Sequence, residues 1–391
     1  MNLIICGAGR IGRGFIAQLM TINQNNLIFF DANQHLVDLL NEKEKYTIHV
    51  LGHPEKDLLI EKFEAYNINQ VDILADKWKN SKYIFIAVGG KNLNSVGKIF
   101  AKAFKLMIQD DSIHKSNIIC CENWLTPVED FKAGIYSELD KKEKKFFDEN
   151  IGVSAAVIMC SGTGAPDSNK ITNEADTWVQ DFKYLPIDGD NIIGNKPNWK
   201  YVEFVNDFPK LLKQKIYTNN TAVGSIAFLG VLKNLSLVSE AANDEEIEPI
   251  MDEIYSEVKT GLVKCGGISE ESQDKFQKLS KSKYQDRDIV DPLSRIARDP
   301  IRKLGPDDRL IGPAKLCLEA GRKPRGIALA TAAALFYEDP NDETAVILKQ
   351  MRQERGVEYI LQNICMLKPE DELYSLILES IDKLKTKGWL V

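Results

Sequence analysis

Histidine is scarce in this chain: four occur, at His35, His49, His53 and His114, all in the first third. That scarcity excludes an H-E-x-x-H site and leaves the C-terminal half without an imidazole base, so no metal site is expected. The seven cysteines are odd in number, scattered, and contain no C-x-x-C pair. Reduced thiols are the expectation. No apolar run approaches the roughly 20 residues that cross a bilayer. The first residues, MNLIICG, read as a strand rather than as a leader. Both features point to a cytoplasmic protein without a membrane partner. Positive charge is also short: a net charge of −7 lacks the broad Lys/Arg surface that nucleic-acid binding needs, so no such partner is expected, although a local basic patch remains able to hold a small anion. Internal repeats and low-complexity tracts are absent. What remains is a globular composition, 44% hydrophobic and 27% charged, in a chain of 391 residues, too long for one ordinary core. Two domains are expected.

The N-terminus carries the first chemical signal. The apolar run Asn2-Leu-Ile-Ile-Cys6 is followed by Gly7-Ala8-Gly9-Arg10-Ile11-Gly12 and then by the helix-like GFIAQLM. In a strand–turn–helix of this kind Gly7 permits the turn, Gly9 lets backbone approach a pyrophosphate, and Gly12 lets the helix pack closely on the strand. A second apolar run, Leu27-Ile28-Phe29-Phe30, ends in Asp31. That is about 20 residues beyond the turn, where an acid hydrogen-bonds the adenosine ribose and repels a 2′-phosphate. NAD is therefore favoured over NADP. Alternatively, Asp31 merely caps the helix that follows it.

Two later buried-strand patterns, Lys82–Val88 running into Gly89-Gly90 and Asn117–Cys121 running into Glu122-Asn123, end in small or polar residues. Ligands of open α/β sheets lie at such carboxyl ends. Val88 and Gly89 are expected to touch the cofactor, and Asn123 either faces the nicotinamide or the reacting carbonyl, or is a turn residue before a helix. Beyond the Gly/Asn/Pro-rich stretch 188–199 the pattern changes to long helical periodicity. The expected architecture is an α/β Rossmann-type N-terminal domain over 1–193 and a mainly α-helical C-terminal domain over 194–391.

Two constellations stand out in the second half. Residues 206–237 read as a helix broken around Thr218-Asn219-Asn220-Thr221, with Lys215 beside the polar break. A lysine desolvated there would serve as a base near neutral pH; a solvated surface lysine is the other reading. The second is Arg298-Asp-Pro-Ile-Arg302-Lys303-Leu-Gly-Pro-Asp-Asp308-Arg309-Leu-Ile-Gly-Pro313. Arg298, Arg302, Lys303 and Arg309 would clamp a phosphate or carboxylate, or else pair with Asp299, Asp307 and Asp308.

Taken in order, ICGAGRIGRGFI, DANQHLVDLLN, YTIHVLG, NIICCENW, KIYTNNTAVGSIAFLG and RDPIRKLGPDDRLIGP resemble, nearly end to end, the polyol-specific long-chain dehydrogenases, the mannitol dehydrogenase family. The resemblance implies an expanded Rossmann domain, a helical domain, substrate in the cleft between them and no metal. It implies Lys215 as the base that takes the alcohol proton while hydride passes to the nicotinamide, and Asn123 and Asn220 as the groups that hold the alkoxide. It also places Arg298, Arg302, Lys303 and Arg309 in a signature loop that binds substrate hydroxyls or anionic groups. The expected partner is a polyol or sugar substrate, a hexitol phosphate first, and the expected assembly a monomer or weak homo-oligomer.

The chain departs from the family pattern twice. Val223 stands where a histidine follows the second asparagine by three residues, and Ala156–Gly162 lacks the usual Asp-Arg pair. Loss of polar contacts at a site built for hydroxyls is costly, so a changed substrate is the expected consequence. A sugar-acid reductase of the tagaturonate or fructuronate type, and a non-catalytic NAD(H)-binding sensor, are the alternatives.

Overall fold

The structure, a computed structural model, describes residues 1–124, 126–163 and 173–390. It divides into two compact units, Met1–Phe208 and Pro209–Val391. The division falls later than the expected 193/194 boundary for a topological reason. β11 (Leu185–Asp188) pairs in parallel with β12 (Val202–Val205), which keeps the Gly/Asn/Pro-rich stretch between them inside the first unit.

The first unit is built on a parallel sheet of six strands in the order β5-β2-β1-β6-β7-β8. Its members are β1 (Asn2–Cys6), β2 (Asn26–Asp31), β5 (Glu64–Asn67), β6 (Ser81–Ile86), β7 (Ser116–Cys120) and β8 (Ile151–Ala155). The central strands are apolar on both faces, as strands covered from two sides must be: β1 and β7 are buried almost throughout. Cores form on each face, one around Phe15, Phe29, Tyr46 and Phe85, the other around Trp78, Phe100, Phe104 and Phe131. The strand order reverses between β1 and β6, and in such sheets the ligand crevice opens at the carboxyl ends of the strands beside that point. Helices α1 (Ala17–Ile22), α2 (Gln34–Lys43), α3 (Val71–Lys79), α4 (Leu93–Gln109), α5 (Pro127–Glu138) and α6 (Lys141–Asn150) connect the strands.

A second sheet, β4-β3-β10-β9, is mixed: β3 (Lys45–Val50) pairs in parallel with β10 (Thr177–Val179), flanked by antiparallel β4 (Leu58–Glu61) and β9 (Gly162–Thr163). It packs on the first helical segment so closely that a Cβ at Gly14 would lie 2.9 Å from Val179. The stretch 156–162, which lacks the charged pair expected from the resemblance, follows β8, with Ala156 to Cys160 buried and Ala156 bridging to Ile187.

The second unit is helical: α7 (Phe208–Lys215), α8 (Thr221–Leu232), α9 (Val238–Ala242), α10 (Ile247–Lys264), α11 (Glu270–Gln285), α12 (Leu293–Ala297), α13 (Pro300–Lys303), α14 (Ile311–Glu319), α15 (Arg325–Leu335), α16 (Glu343–Asn363) and α17 (Glu372–Thr386). α8 and α15 are apolar all round, the pattern of helices surrounded by others, and both are buried along nearly their whole length. The expected break at 218–221 is instead a π-helical turn, Ile216–Asn220, through which α7 continues into α8. Among the described residues no helix is long and apolar enough to cross a membrane.

Candidate active site

β1 delivers the chain into a turn with little room for side chains. Gly7 has φ +92°, and a Cβ there would lie 2.2 Å from the Ala87 carbonyl oxygen; one at Gly12 would lie 1.8 Å from the Gly7 oxygen. The protein's own backbone demands those two glycines. Gly9 differs: its φ of −69° suits any residue, and a Cβ there would meet nothing within 4 Å. The missing side chain leaves open space above the turn, the space a pyrophosphate needs to reach backbone N–H groups. Ala8 is buried, Ile11 half-buried and Arg10 exposed. The helix begins as a π-helical segment, Arg10–Ile16, in which the Ala17 N–H reaches back five residues to the Gly12 oxygen.

Asp31, at the end of β2, closes on this turn. Its Oδ2 accepts the Ala8 N–H at 2.7 Å and its Oδ1 the Asn33 N–H at 2.8 Å. The cap of α2 is Asn33, whose side chain accepts from the Leu36 N–H. Asp31 thus fixes the turn rather than the helix, and each of its oxygens retains a lone pair for a ribose hydroxyl. Arg13 clamps the same turn from behind, donating from Nη1 to the Ala8 oxygen at 2.7 Å and from Nε to the Ala175 oxygen at 3.0 Å. The Tyr46 hydroxyl donates to the Arg13 oxygen.

At the next strand ends, Val88 leads into Gly89 at φ +86°, whose N–H donates to Glu122 Oε1 at 2.5 Å. Asn92 Nδ2 donates to the Val88 oxygen at 2.7 Å. The Trp124 indole lies against Gly90, where a Cβ would come within 2.2 Å of the ring. Asn123 stands exposed between Glu122 and Trp124. An open glycine cradle, a ribose acid and a held turn, all at carboxyl ends of adjacent strands, fit a dinucleotide with an unphosphorylated adenosine ribose.

In the helical unit the spacing of Lys215 and Asn220 acquires its meaning from the π-turn. In an α-helix, residues five apart point about 140° away from each other. Here the hydrogen bonds reach back five residues, as from the Thr221 N–H to the Ile216 oxygen, so a turn takes more residues than in an α-helix and residues five apart come nearer to one face. Neighbouring groups hold the widened turn. The Tyr284 hydroxyl donates to the Asn219 oxygen at 3.1 Å, the Thr221 hydroxyl to the Arg309 oxygen at 2.7 Å, and Gln273, fully buried, donates to the Thr218 hydroxyl at 3.0 Å. Burial, then the positive charges of Arg309 and Lys283, lower Lys215 to about 8.

The loop 298–313 folds over the same segment: a Cβ at Gly224 would lie 3.1 Å from Arg309 Cδ, and one at Gly312 2.3 Å from the Tyr217 hydroxyl. Its four cations differ in state. Arg302 pairs with Asp299 at 2.6 Å and Asp308 at 3.0 Å, and Arg309 pairs with Asp308 at 2.8 Å. Arg298 is exposed. Lys303 is only 4% exposed, and burial, with Arg309 and Arg302 next, lowers it to about 7. The pairing with acids thus occurs for Arg302 and Arg309, while Lys303 is buried and lowered beside them.

The model of the mannitol dehydrogenase Rossmann domain matches residues 1–201, and that of the mannitol dehydrogenase C-terminal domain matches residues 207–384. The chain belongs to the mannitol dehydrogenase family. Similar relatives include the mannitol-1-phosphate 5-dehydrogenases of Geobacillus stearothermophilus, 32% identical with 97% of this chain and 98% of the relative covered, and of Bacillus pumilus (strain SAFR-032), 31% identical with 97% and 99% covered. Among solved structures, the fold matches a D-sorbitol dehydrogenase in substrate-free form at TM-score 0.81 and 12% identity, covering 99% of this chain and 93% of that one. It also matches the Pseudomonas fluorescens mannitol 2-dehydrogenase ternary complex with NAD and D-mannitol at TM-score 0.71 and 13% identity, covering 100% and 92%.

Within this mannitol dehydrogenase family chain, the helical unit sets Arg309 close enough to lower both Lys215 and Lys303, and Asn220 follows Lys215 across the π-turn. The first unit gathers the residues 7–12, Asp31, Val88, Gly89 and Asn123 along one edge of its main sheet. Val223, three residues beyond Asn220, is buried in the apolar core of the helical unit. Where the resemblance leads to the expectation of an imidazole, this chain has an apolar side chain packed into the core. Residues that sequence reasoning missed are Arg13, Glu122 as a turn holder, and Lys283. Arg13 follows the glycine motif directly, but its partners at Ala175 and Tyr46 are far away in sequence. Nothing in SKSKYQ marks Lys283.

Proposed function

We propose that this chain catalyses the reversible NAD-dependent oxidation of a hexitol phosphate, mannitol 1-phosphate first, to the ketose phosphate, with Lys215 as general base. Membership of the mannitol dehydrogenase family makes it an NAD-dependent oxidoreductase acting on CH–OH groups. The observation that carries the assignment of the base is Lys215 across the π-turn from Asn220 and lowered to about 8, close to the working pH that efficient proton transfer requires. NAD, when bound, supplies the hydride acceptor. Gly7, Ala8, Gly9, Arg10, Ile11 and Gly12 form its pyrophosphate turn, Asp31 holds the ribose hydroxyls, and Val88 with Gly89 supports the nicotinamide half.

Neutral Lys215 takes the proton from the substrate hydroxyl, and the amides of Asn123 and Asn220 donate to the oxygen as negative charge develops there. In the reverse direction the Lys215 ammonium returns the proton. Arg298, Arg302, Lys303 and Arg309 select the anionic end of the substrate. The phosphate preference rests on this basic loop and on the names of the relatives at about 30% identity. With Val223 apolar, fewer side-chain contacts to the polyol chain remain, and charge at the substrate's end weighs more in selection.

The test is absorbance at 340 nm with NADH against fructose 6-phosphate, free ketohexoses and keto-uronates, with NADPH as the second cofactor. NADH oxidation by fructose 6-phosphate, at least tenfold faster in kcat/KM than by fructose, is the expected result. Preference for a keto-uronate would replace the substrate and keep the reaction. Tight NADH binding with no turnover on any of them would leave a sensor instead.

A further inference from the structure

The half-buried carboxylate of Glu122 is a polar group at the cofactor edge that the mechanism above does not use. It follows β7 at the level where the ladder of the main sheet ends: the Ala87 N–H donates to the Cys6 oxygen at 2.7 Å and the Cys121 N–H to the Ile86 oxygen at 2.8 Å. From there its side chain reaches across to the Gly89 turn, where Oε1 accepts the Gly89 N–H. The turn is fixed on both sides, by Asn92 on the Val88 oxygen and by the Trp124 ring on Gly90, so the carboxylate is held rather than swinging in solvent. Burial raises the carboxyl above its ordinary value, opposed by the backbone hydrogen bonds from Gly89 and Val88.

The strand order assigns the two halves of a dinucleotide to different strand ends. The adenosine half belongs to β2, where Asp31 stands, the pyrophosphate to the β1 turn, and the nicotinamide half to the ends of β6 and β7 beyond the reversal. Glu122 lies on that last side. A nicotinamide ring carries a positive charge when oxidised and none when reduced. A fixed negative charge at a partly desolvated rim therefore acts on one form and not on the other. We propose that Glu122 is a positioning residue that sets the redox poise of the bound cofactor, its negative charge at the Gly89 turn favouring NAD⁺ over NADH. The proposal rests on the cofactor site assigned above.

Two substitutions separate charge from contact. Glu122→Gln keeps an acceptor for the Gly89 N–H and removes the charge; Glu122→Asp keeps the charge on a shorter arm. Dissociation constants for NADH, from its fluorescence, and for NAD⁺, by competition, are measured on the full chain at pH 8, with circular dichroism to verify folding. In Glu122→Gln the ratio Kd(NAD⁺)/Kd(NADH) rises about tenfold, while in Glu122→Asp it stays within about threefold of the parent even if both affinities weaken. A ratio unchanged in Glu122→Gln, or shifted equally in both variants, overturns the proposal, because a purely structural role would weaken both cofactor forms alike. Failure of the parent chain to bind NADH at all would instead remove the cofactor site on which the proposal depends.

Discussion

Asp31 bonds both to the glycine turn and to the start of the next segment, so removing it acts on the cofactor twice. Asp31→Ala loses a charged acceptor for the ribose and loosens Ala8, which by ordinary charged hydrogen-bond strengths of about 1.5–3 kcal/mol weakens NADH by roughly 10- to 100-fold. NADPH, whose 2′-hydroxyl is phosphorylated, loses less and escapes repulsion, so the preference for NADH narrows in a fluorescence titration of both. At this scale much was legible beforehand. Gly7, Gly9, Gly12 and Asp31 stand in a short strand–turn–helix motif whose spacing the turn itself dictates, whereas Lys215 and Asn220 took their roles from the family resemblance and not from their spacing, which in an α-helix would part them. Arg13, Glu122 and Lys283 were not legible, because each acts through a partner tens of residues away. The state of the basic loop was open because the sequence offers three acids to its arginines; in the fold Arg302 takes Asp299 and Asp308, and Arg309 takes Asp308.

Two glycines of one turn have opposite reasons to exist, and substitution separates them. Gly12→Ala drives a Cβ into the Gly7 oxygen and should cost about 3 kcal/mol or more, read as a lowered midpoint in denaturant melts without cofactor. Gly9→Ala meets no protein atom. It should leave that midpoint unchanged or slightly raised while weakening NADH at least tenfold; an equal loss of stability in both would show that the open space above Gly9 is not the reason for its glycine. The helical unit offers a pH-dependent counterpart. Glu257, fully buried on α10, accepts the Gly326 and Ile327 N–H groups at the start of α15 at 2.8 and 2.9 Å, yet burial lifts it to about 7. The folded state therefore holds this proton more tightly than the unfolded chain does. Stability from this group is greatest below about 4.5 and declines as pH rises to about 7, by an amount on the order of 3 kcal/mol. Glu257→Gln should flatten that slope in denaturant melts at pH 5 and 7.5. The helices and the main sheet were readable from periodicity, but the π-turn at 216–220 was not: its polar residues look like a helix break, and only the partners Tyr284, Gln273 and Arg309 make a wider turn stable.

Across the whole molecule, a dinucleotide-binding sheet and a helical unit divide the chemistry between them. On the proposed reading, one would bind the cofactor through backbone and a single acid, and the other would supply Lys215, whose basicity is set by burial and by like charges. The later boundary, after β12 instead of before it, follows from a strand pair that a Gly/Asn/Pro-rich stretch conceals in the sequence. The family was legible because its signature segments span both units.

Lys215 as the proton acceptor is tested most directly by the pH dependence of kcat/KM in both directions, for the parent chain and Lys215→Ala. A base must be neutral to act in oxidation, so alcohol oxidation should rise with pH and level off above about 8. Ketone reduction needs the ammonium and should fall above the same point, and Lys215→Ala should lose roughly 10²- to 10⁴-fold in both directions while still binding NADH. Retention of parent-like rates by Lys215→Ala, or limbs of the same sign in both directions, would contradict it.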